Sequence, residues 1–271
     1  MYTPILVFDI ETIPDVQGLR KLFHLDQNEH LTDAQVVEMG QQYYRQKTGS
    51  DFFPHHLQKV VVISCLYQDA KHIRIGSFSE PDLNEGKIIT EFFKLIDKKT
   101  PNLVTWNGGG FDLPVLHYRS LIHGIAAQNY WDTGEGHARS ERRFNHYLGR
   151  YHTLHLDLMD YMALYNTRAY VPLDQIAKLC GAPGKLGIDG GQVWAQYLAG
   201  EMSAIRDYCE TDVANTYLVY LRFELMRGTI SPEEYAQHYE AFYAFLREKN
   251  KPHWQEFLAE MSPTPMLTTF S

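Results

Sequence analysis

Cysteine is scarce in this chain: three residues, Cys65, Cys180 and Cys209, in 271. They are odd in number and lack metal-ligand spacing, which excludes a disulfide framework or a zinc ribbon and predicts a reducing, cytoplasmic setting. Long hydrophobic runs are also missing. The most apolar stretch, around 60–67, is far too short to span a bilayer, and the first residues lack the basic flank and apolar run of a signal peptide. Positive charge is in deficit, with 25 Lys and Arg against 33 Asp and Glu, a net charge of -8. Proteins that hold nucleic acid by its charge are usually basic. The deficit does not exclude a nucleic-acid enzyme, because two divalent cations in an acidic site would add four positive charges locally. Internal repeats and low-complexity tracts are absent too. What is present, 44% hydrophobic and 21% charged residues, suffices for one large domain with a sizeable core.

The hydrophobic pattern reads as a strand over 5–10, strands over 60–67 and 73–78, and a short strand over 102–106. A further short strand is expected at 154–157. Between the first two strands, 12–58 reads as a polar, irregular insert with one helix near 32–47. Helices are expected over 83–98, 113–123, 171–180, 192–198 and 203–227. Early strands followed by alternating helices predict an α/β fold with a mixed sheet flanked by helices. Gly228 ends the long helix. Ser231-Pro232-Glu233-Glu234 then carries the signature of a capping box, and a second helix follows Pro252. The expected organisation is a domain over 1–228, a C-terminal helical appendage over 229–261 and a mobile tail over 262–271.

Four carboxylates stand where a fold would prefer neutral residues. In VFDIET, strand alternation puts Ile5, Val7, Asp9 and Glu11 on one face. Two acids there are either rim charges or ligands. A Walker B reading fails, because GAPGKLG lacks the spacing and the Ser or Thr of a phosphate loop. In WNGGGFDLP, Asp112 is either an ordinary helix cap or a ligand beside glycines that leave room for a sugar and phosphate. In RDYCETDV, Tyr208 and Asp212 fall on the buried stripe of the long helix, one turn apart. A carboxylate there must meet a cation or strong donors. Acids this far apart in sequence, converging around cations, point to two-metal phosphodiester chemistry.

Together these residues resemble the DEDD superfamily of 3′–5′ exonucleases, on a ribonuclease H-like fold. The resemblance is nearest to the proofreading domain of family B DNA polymerases and the stand-alone bacterial proteins related to it, and it runs from about residue 2 to 227. The first motif, D-x-E, is matched by Asp9 and Glu11. The second, N-x-x-x-F-D, is matched by Asn107, Phe111 and Asp112. The third, Y-x-x-x-D, is matched by Tyr208 and Asp212. The histidine branch places His five residues before the last acid, where this chain has Asp207, so the tyrosine branch fits. No polymerase palm or fingers could fit in the remaining residues. The resemblance implies two Mg²⁺ or Mn²⁺ ions held by Asp9, Glu11, Asp112 and Asp212, with Tyr208 orienting the attacking water. It implies hydrolysis from a free 3′ end of single-stranded nucleic acid, DNA favoured, releasing 5′-mononucleotides. RNA, or a non-catalytic binding module, is the alternative.

Substrate contacts are expected from Asn107, Phe111 and Lys185, and from the basic stretch over 137–152. There, Arg139, Arg142, Arg143 and Arg150 could track phosphates while Phe144 or Tyr147 stacks a base. Phe52 and Phe53 are either a wedge for the terminal base or core. Asp157 either supports the site or caps the next helix. His152 and His155 have H-x-x-H spacing without a further partner for zinc.

Overall fold

The computed structural model describes residues 3–25, 30–135, 141–187 and 190–262. The expected tail over 262–271 lies outside the described residues from 263 on, as does Arg139. In chain order the described elements are β1 (Ile5–Pro14), α1 (Val16–Leu22), α2 (Asp33–Thr48), β2 (Gln58–Gln68), β3 (Ile73–Ser79), α3 (Glu85–Lys99), β4 (Asn102–Thr105), α4 (Asp112–His123) and α5 (Gln128–Trp131). Then follow β5 (His155–Asp157), α6 (Leu158–Met162), α7 (Leu173–Leu179), α8 (Val193–Leu198), α9 (Met202–Met226), α10 (Pro232–Lys249) and α11 (Pro252–Glu260).

The five strands form a mixed sheet in the order β3-β2-β1-β4-β5. β1, β2 and β3 pair antiparallel, while β4 and β5 run parallel to β1. This is the expected α/β architecture, consistent with a ribonuclease H-like fold. Strand alternation divides β1 between two cores. Leu6, Phe8 and Ile10 pack against Phe92, Phe93 and Ile96 of α3 and Leu116 of α4. Ile5 and Val7 face the other way, onto Val213 and Tyr217 of α9. Asp9 and Glu11 continue that second face, and a register shift between Glu11 and Thr12 breaks the ladder beside them. Such bulges re-aim side chains next to functional sites. Because β1, β4 and β5 are parallel, their carboxyl ends lie together, the usual place for a site in an open α/β sheet.

The insert is more ordered than its polar sequence suggests. β1 runs on to Pro14, and α1 follows with Asp15 as its N-cap. α2 starts on a capping box between Thr32 and Gln35. Leu19, Val36, Val37, Phe53 and Leu57 form a small core of their own. Seven residues are too few for α1 to show a helical period, so its placement comes from tertiary contacts. Chief among these is the buried Arg119 of α4. Its guanidinium donates to both carboxylate oxygens of Glu85 at 2.7 and 2.6 Å, to Asp15 at 2.5 Å and to the His56 carbonyl at 3.1 Å. Glu85 also accepts from the Val60 amide at 2.9 Å. One cation therefore ties the insert, α3, α4 and β2 together.

The C-terminal helices begin as their sequence indicated. Gly228 has φ +73 and follows Arg227, which caps the end of α9. Ser231 and Glu234 close a capping box around Pro232. Tyr239 and Phe242 of α10, and Trp254 and Phe257 of α11, then join the same core as α9 and β1. The helical appendage thus backs the long helix rather than folding around a core of its own. α5, four residues long, was not foreseen, since it completes little more than one helical turn; α6, five residues long, is the helix that Asp157 was offered as capping.

Replacing Arg119 by Met would take the guanidinium from the buried Glu85, leaving it His123 and the Val60 amide, and from the half-buried Asp15, so we expect a loss of about 3–5 kcal/mol in urea unfolding at neutral pH. Glu85→Gln combined with Asp15→Asn in that background should recover part of the loss. No recovery would show that the guanidinium packs more than it pairs.

Candidate active site

Asp112 opens α4, yet its side chain does not cap the helix. Phe111 is the capping residue and makes no side-chain cap bond. The Asp112 carboxylate is buried instead, at 3% exposure, and its Oδ1 has no hydrogen-bond partner among the described residues. Asp212, in the middle of the buried face of α9, leaves its Oδ1 in the same condition. Asp9 and Glu11 approach from β1. With Cys209 of α9 they bring one donor atom each within 4.8 Å of one another. The Cys209 thiol lies 3.4 Å from the Asp9 carbonyl and 3.6 Å from its carboxylate.

These four acids feel each other. Asp9 is held well above the ordinary carboxylate range by burial, then by the charges of Asp112, Glu11 and Asp212. Glu11 is raised by burial and by Asp212, against the pull of Lys185. Burial pushes Asp112 up to about 7 and Asp212 up to about 6. Carboxylates that mutually resist ionisation, two of them with an orphaned oxygen, fit divalent cations with hard oxygen preferences. Cys209 adds a soft donor at the edge of this set.

Two further groups from the sequence reading stand with the acids. The Tyr208 phenol is pushed far up by burial, then by Asp212, Glu11 and Asp9, so it keeps its proton at neutral pH. Lys185 places its Nζ 5.4 Å from the Tyr208 ring centre, and its charge lowers Glu11 and Asp212. A solvated lysine is the usual expectation, but the backbone of this one is held in place. Gly184 takes φ +76. Its amide donates to the Asn215 side chain at 3.0 Å and its carbonyl accepts from it at 2.7 Å. The Lys185 amide donates to Asp174 at 2.8 Å. Sequence reading missed Asn215. The available signal was a polar residue on the buried stripe of α9, less than one turn past Asp212.

The glycine turn is held by Asp157. That carboxylate accepts from the amides of Asn107 at 2.9 Å and Gly109 at 2.8 Å, and more distantly from Asp160 at 3.3 Å. It thus both supports the turn and caps α6. Asn107 itself sits at φ +67. At Gly108 a Cβ would lie 2.5 Å from the Thr105 side chain, so only glycine fits. The insert reaches this turn as well: a ring nitrogen of His55 lies 3.0 Å from the Gly110 carbonyl oxygen. Phe52 is exposed with its ring 5.8 Å from that of Phe111, whereas Phe53 is core.

The basic stretch is less available than its composition suggests. Arg150 is locked onto Asp160 by two hydrogen bonds of 2.7 Å. Arg142 lies over the buried Tyr147, which is stacked on Tyr130 and so is not presented to a base. Arg143 and Phe144 are exposed. Among the described residues no ion pair joins Arg142, Arg143 or Arg150 to the four acids. His155 contacts Thr105 Oγ1 at 2.8 Å, and His152 accepts from the His146 amide at 3.0 Å. Asp207, where the other branch has histidine, pairs with His253 at 3.3 Å and helps dock α11.

Residues 50–261 match the model of a family described as predicted 3′–5′ exonucleases related to the exonuclease domain of PolB. The chain belongs to this family. The matched span includes Asn107, Phe111, Asp112, Tyr208 and Asp212 but not Asp9 and Glu11, which enter the site through β1. The DNA polymerase epsilon catalytic subunits of Emericella nidulans and Aspergillus fumigatus are each 26% identical to this chain over 151 residues. That alignment covers 54% of this chain and 6% of each polymerase. The similarity is thus confined to a small part of those much longer proteins.

The raised carboxyls have a consequence for stability. Asp112 and Asp212 bind protons more tightly folded than unfolded, where their ordinary value is 3.8. Between about pH 4 and pH 7 the folded state therefore holds more protons, and the metal-free protein should lose stability as pH rises. In EDTA the thermal midpoint is expected to fall from about pH 5 to about pH 8, and Mg²⁺ or Mn²⁺ should restore it at the upper end. Asp112→Asn should flatten the slope. A midpoint indifferent to both pH and metal would mean that the acids do not share a site.

Proposed function

We propose that this protein is a metal-dependent 3′–5′ exonuclease of the tyrosine type of the DEDD superfamily, hydrolysing single-stranded DNA to 5′-mononucleotides. The observation that carries the reading is the pair of orphaned carboxylate oxygens on Asp112 and Asp212, converging with Asp9 and Glu11 beneath a tyrosine that keeps its proton. DNA is favoured over RNA because the polymerase relatives are DNA polymerases.

Asp9, Glu11, Asp112 and Asp212 would hold two Mg²⁺ or Mn²⁺ ions. When bound, such cations supply Lewis acidity, activating water and stabilising the departing 3′ oxygen. Tyr208, protonated, is suited to donate a hydrogen bond and orient the nucleophile, and is unsuited to act as a base. Lys185 supplies a fixed positive charge for a phosphate oxygen, its loop held in place from α9 by Asn215. The open backbone at Gly109 and Gly110 lets a sugar approach the turn that Asp157 rigidifies. The acids hold charge, the tyrosine aims, and the lysine meets the substrate.

Digestion of 5′-labelled DNA and RNA oligomers with Mg²⁺, Mn²⁺ or EDTA tests the reading. A ladder shortening from the 3′ end, abolished by EDTA, is expected, with DNA preferred. No cleavage of either polymer with either metal would overturn it.

Two substitutions separate the roles. Asp212→Ala should lower turnover about a thousandfold or more, the loss of several kcal/mol of charge stabilisation. Tyr208→Phe should cost about tenfold to a hundredfold, one hydrogen bond to a charged group, with DNA still bound. Lys185→Met should lower turnover yet reduce the metal concentration needed for half-maximal activity, because a cation competing for the same acids is gone. A higher metal requirement would contradict that role.

A further inference from the structure

We infer that the cavity beside the edge strand β5 is a base-stacking subsite for the strand upstream of the scissile nucleotide. Its volume is about 490 Å³, within the range of small-molecule pockets. Its lining includes Gly109 and Gly110, of the turn that adjoins Asp112, and Asp157, which holds that turn. The lining also includes Tyr151, Tyr161 and Tyr165. Counting along the sheet, β5 is two strands from β1, which carries Asp9 and Glu11, or about 10 Å at ordinary strand spacing. A strand whose 3′ end lies at the acids has its preceding nucleotides at about this distance.

The chemistry of the walls favours a base over a phosphate. Each lining arginine is already paired with an acid, Arg150 with Asp160 and Arg227 with Glu224. With Asp157 also present, the described walls carry no excess of positive charge. Aromatic surface is what remains. Tyr151 is 73% exposed, and its ring meets that of Tyr165 edge-on at 4.6 Å. The Arg150 guanidinium lies 5.2 Å over the Tyr165 ring, stiffening it from behind. The backbone carries strain to present this wall: Leu164 and Tyr165 take φ +50 and +60 in succession. Left-handed backbone is unfavourable for such residues and concentrates at functional sites. Exposed aromatic faces on a rigid support bind single strands without regard to sequence.

This subsite rests on the exonuclease reading, and its test separates the two. In the full chain with Mg²⁺, kcat and KM are measured for a thymidine dinucleotide and for a longer oligothymidylate. Tyr151→Ala and Tyr165→Ala should each raise KM for the oligomer roughly tenfold, the effect of one base–aromatic stack, and leave the dinucleotide unchanged. Tyr151→Phe, which keeps the ring, should behave as wild type. Because Tyr165 sits in strained backbone, the exposed Tyr151 variant decides if the other misfolds. Anisotropy of a labelled oligothymidylate in EDTA gives a readout independent of turnover, and Tyr151→Ala should weaken binding by a similar factor. Equal effects on dinucleotide and oligomer, or none on either KM or binding, would overturn the subsite. Binding that depends on Tyr151 without hydrolysis of any substrate would keep the subsite and remove the exonuclease.

Discussion

The site depends on one electrostatic constraint: three buried carboxylates and the half-buried Asp9 lie within reach of each other and cannot all ionise without compensation. Lys185 offsets only part of that charge. The remainder must be met by protons or cations, and Asp112 and Asp212 each leave an oxygen without a donor among the described residues. A core that tolerates this arrangement is made rigid around it. α9 is buried over most of its length, backed by α10 and α11 on one side and by the sheet on the other. The helical appendage is therefore part of the support of the site, although it contributes no acid. Without that backing, the opposite face of α9, with Glu210 and Tyr217, would face water.

The same helix organises the rest. Tyr208, Cys209 and Asp212 face the acids, and Asn215 fixes the loop that delivers Lys185. On the other side of the centre, Asp157 at the end of β5 fixes the turn that delivers Asp112. In both cases a polar side chain, buried in Asn215 and half-buried in Asp157, clamps backbone amides or carbonyls of a glycine-containing loop. The four acids are thus set by regular elements, and the loops between them are held by polar side chains from those elements. The insert adds a third tie through His55 at Gly110, and is itself anchored by Arg119. Perturbation of the insert can therefore reach the glycine turn through the His55 hydrogen bond.

Much of this was legible in the sequence, for definable reasons. Asp9 and Glu11 were placed by strand period, and Tyr208 and Asp212 by helix period, because both pairs lie on long elements with strong alternation. The sheet and the major helices followed from the same periods. Asp112 could not be resolved locally, since an aspartate just before Leu-Pro has the same signature whether it caps or coordinates; only its buried, uncapped carboxylate separates the two. The clamp of Asn215 on the Lys185 loop was hidden for a different reason. It joins a helix to a distant loop with no period, so nothing local marks it. The basic stretch misled in the opposite direction: charge composition counts guanidinium groups, but it does not record that Arg150 is already committed to Asp160.

An acidic nuclease must still capture a polyanion, and the arrangement suggests how. The net charge of -8 gives no long-range attraction. Near the centre, Lys185 supplies the fixed positive charge that the acids feel, and loaded cations would supply more. Away from the centre, the cavity along β5 offers aromatic faces whose arginines are neutralised. Such a surface holds bases without holding phosphates. Stacking is short-ranged and nearly indifferent to salt, whereas phosphate contacts weaken steeply as salt rises. An enzyme that grips by stacking at one end and by cations at the other can release the strand and advance by one nucleotide without breaking a large electrostatic interface. The negative surface then favours departure of the nucleotide product, which carries like charge. In that sense the charge deficit that first argued against a nucleic-acid substrate is compatible with one that must be let go after every cut.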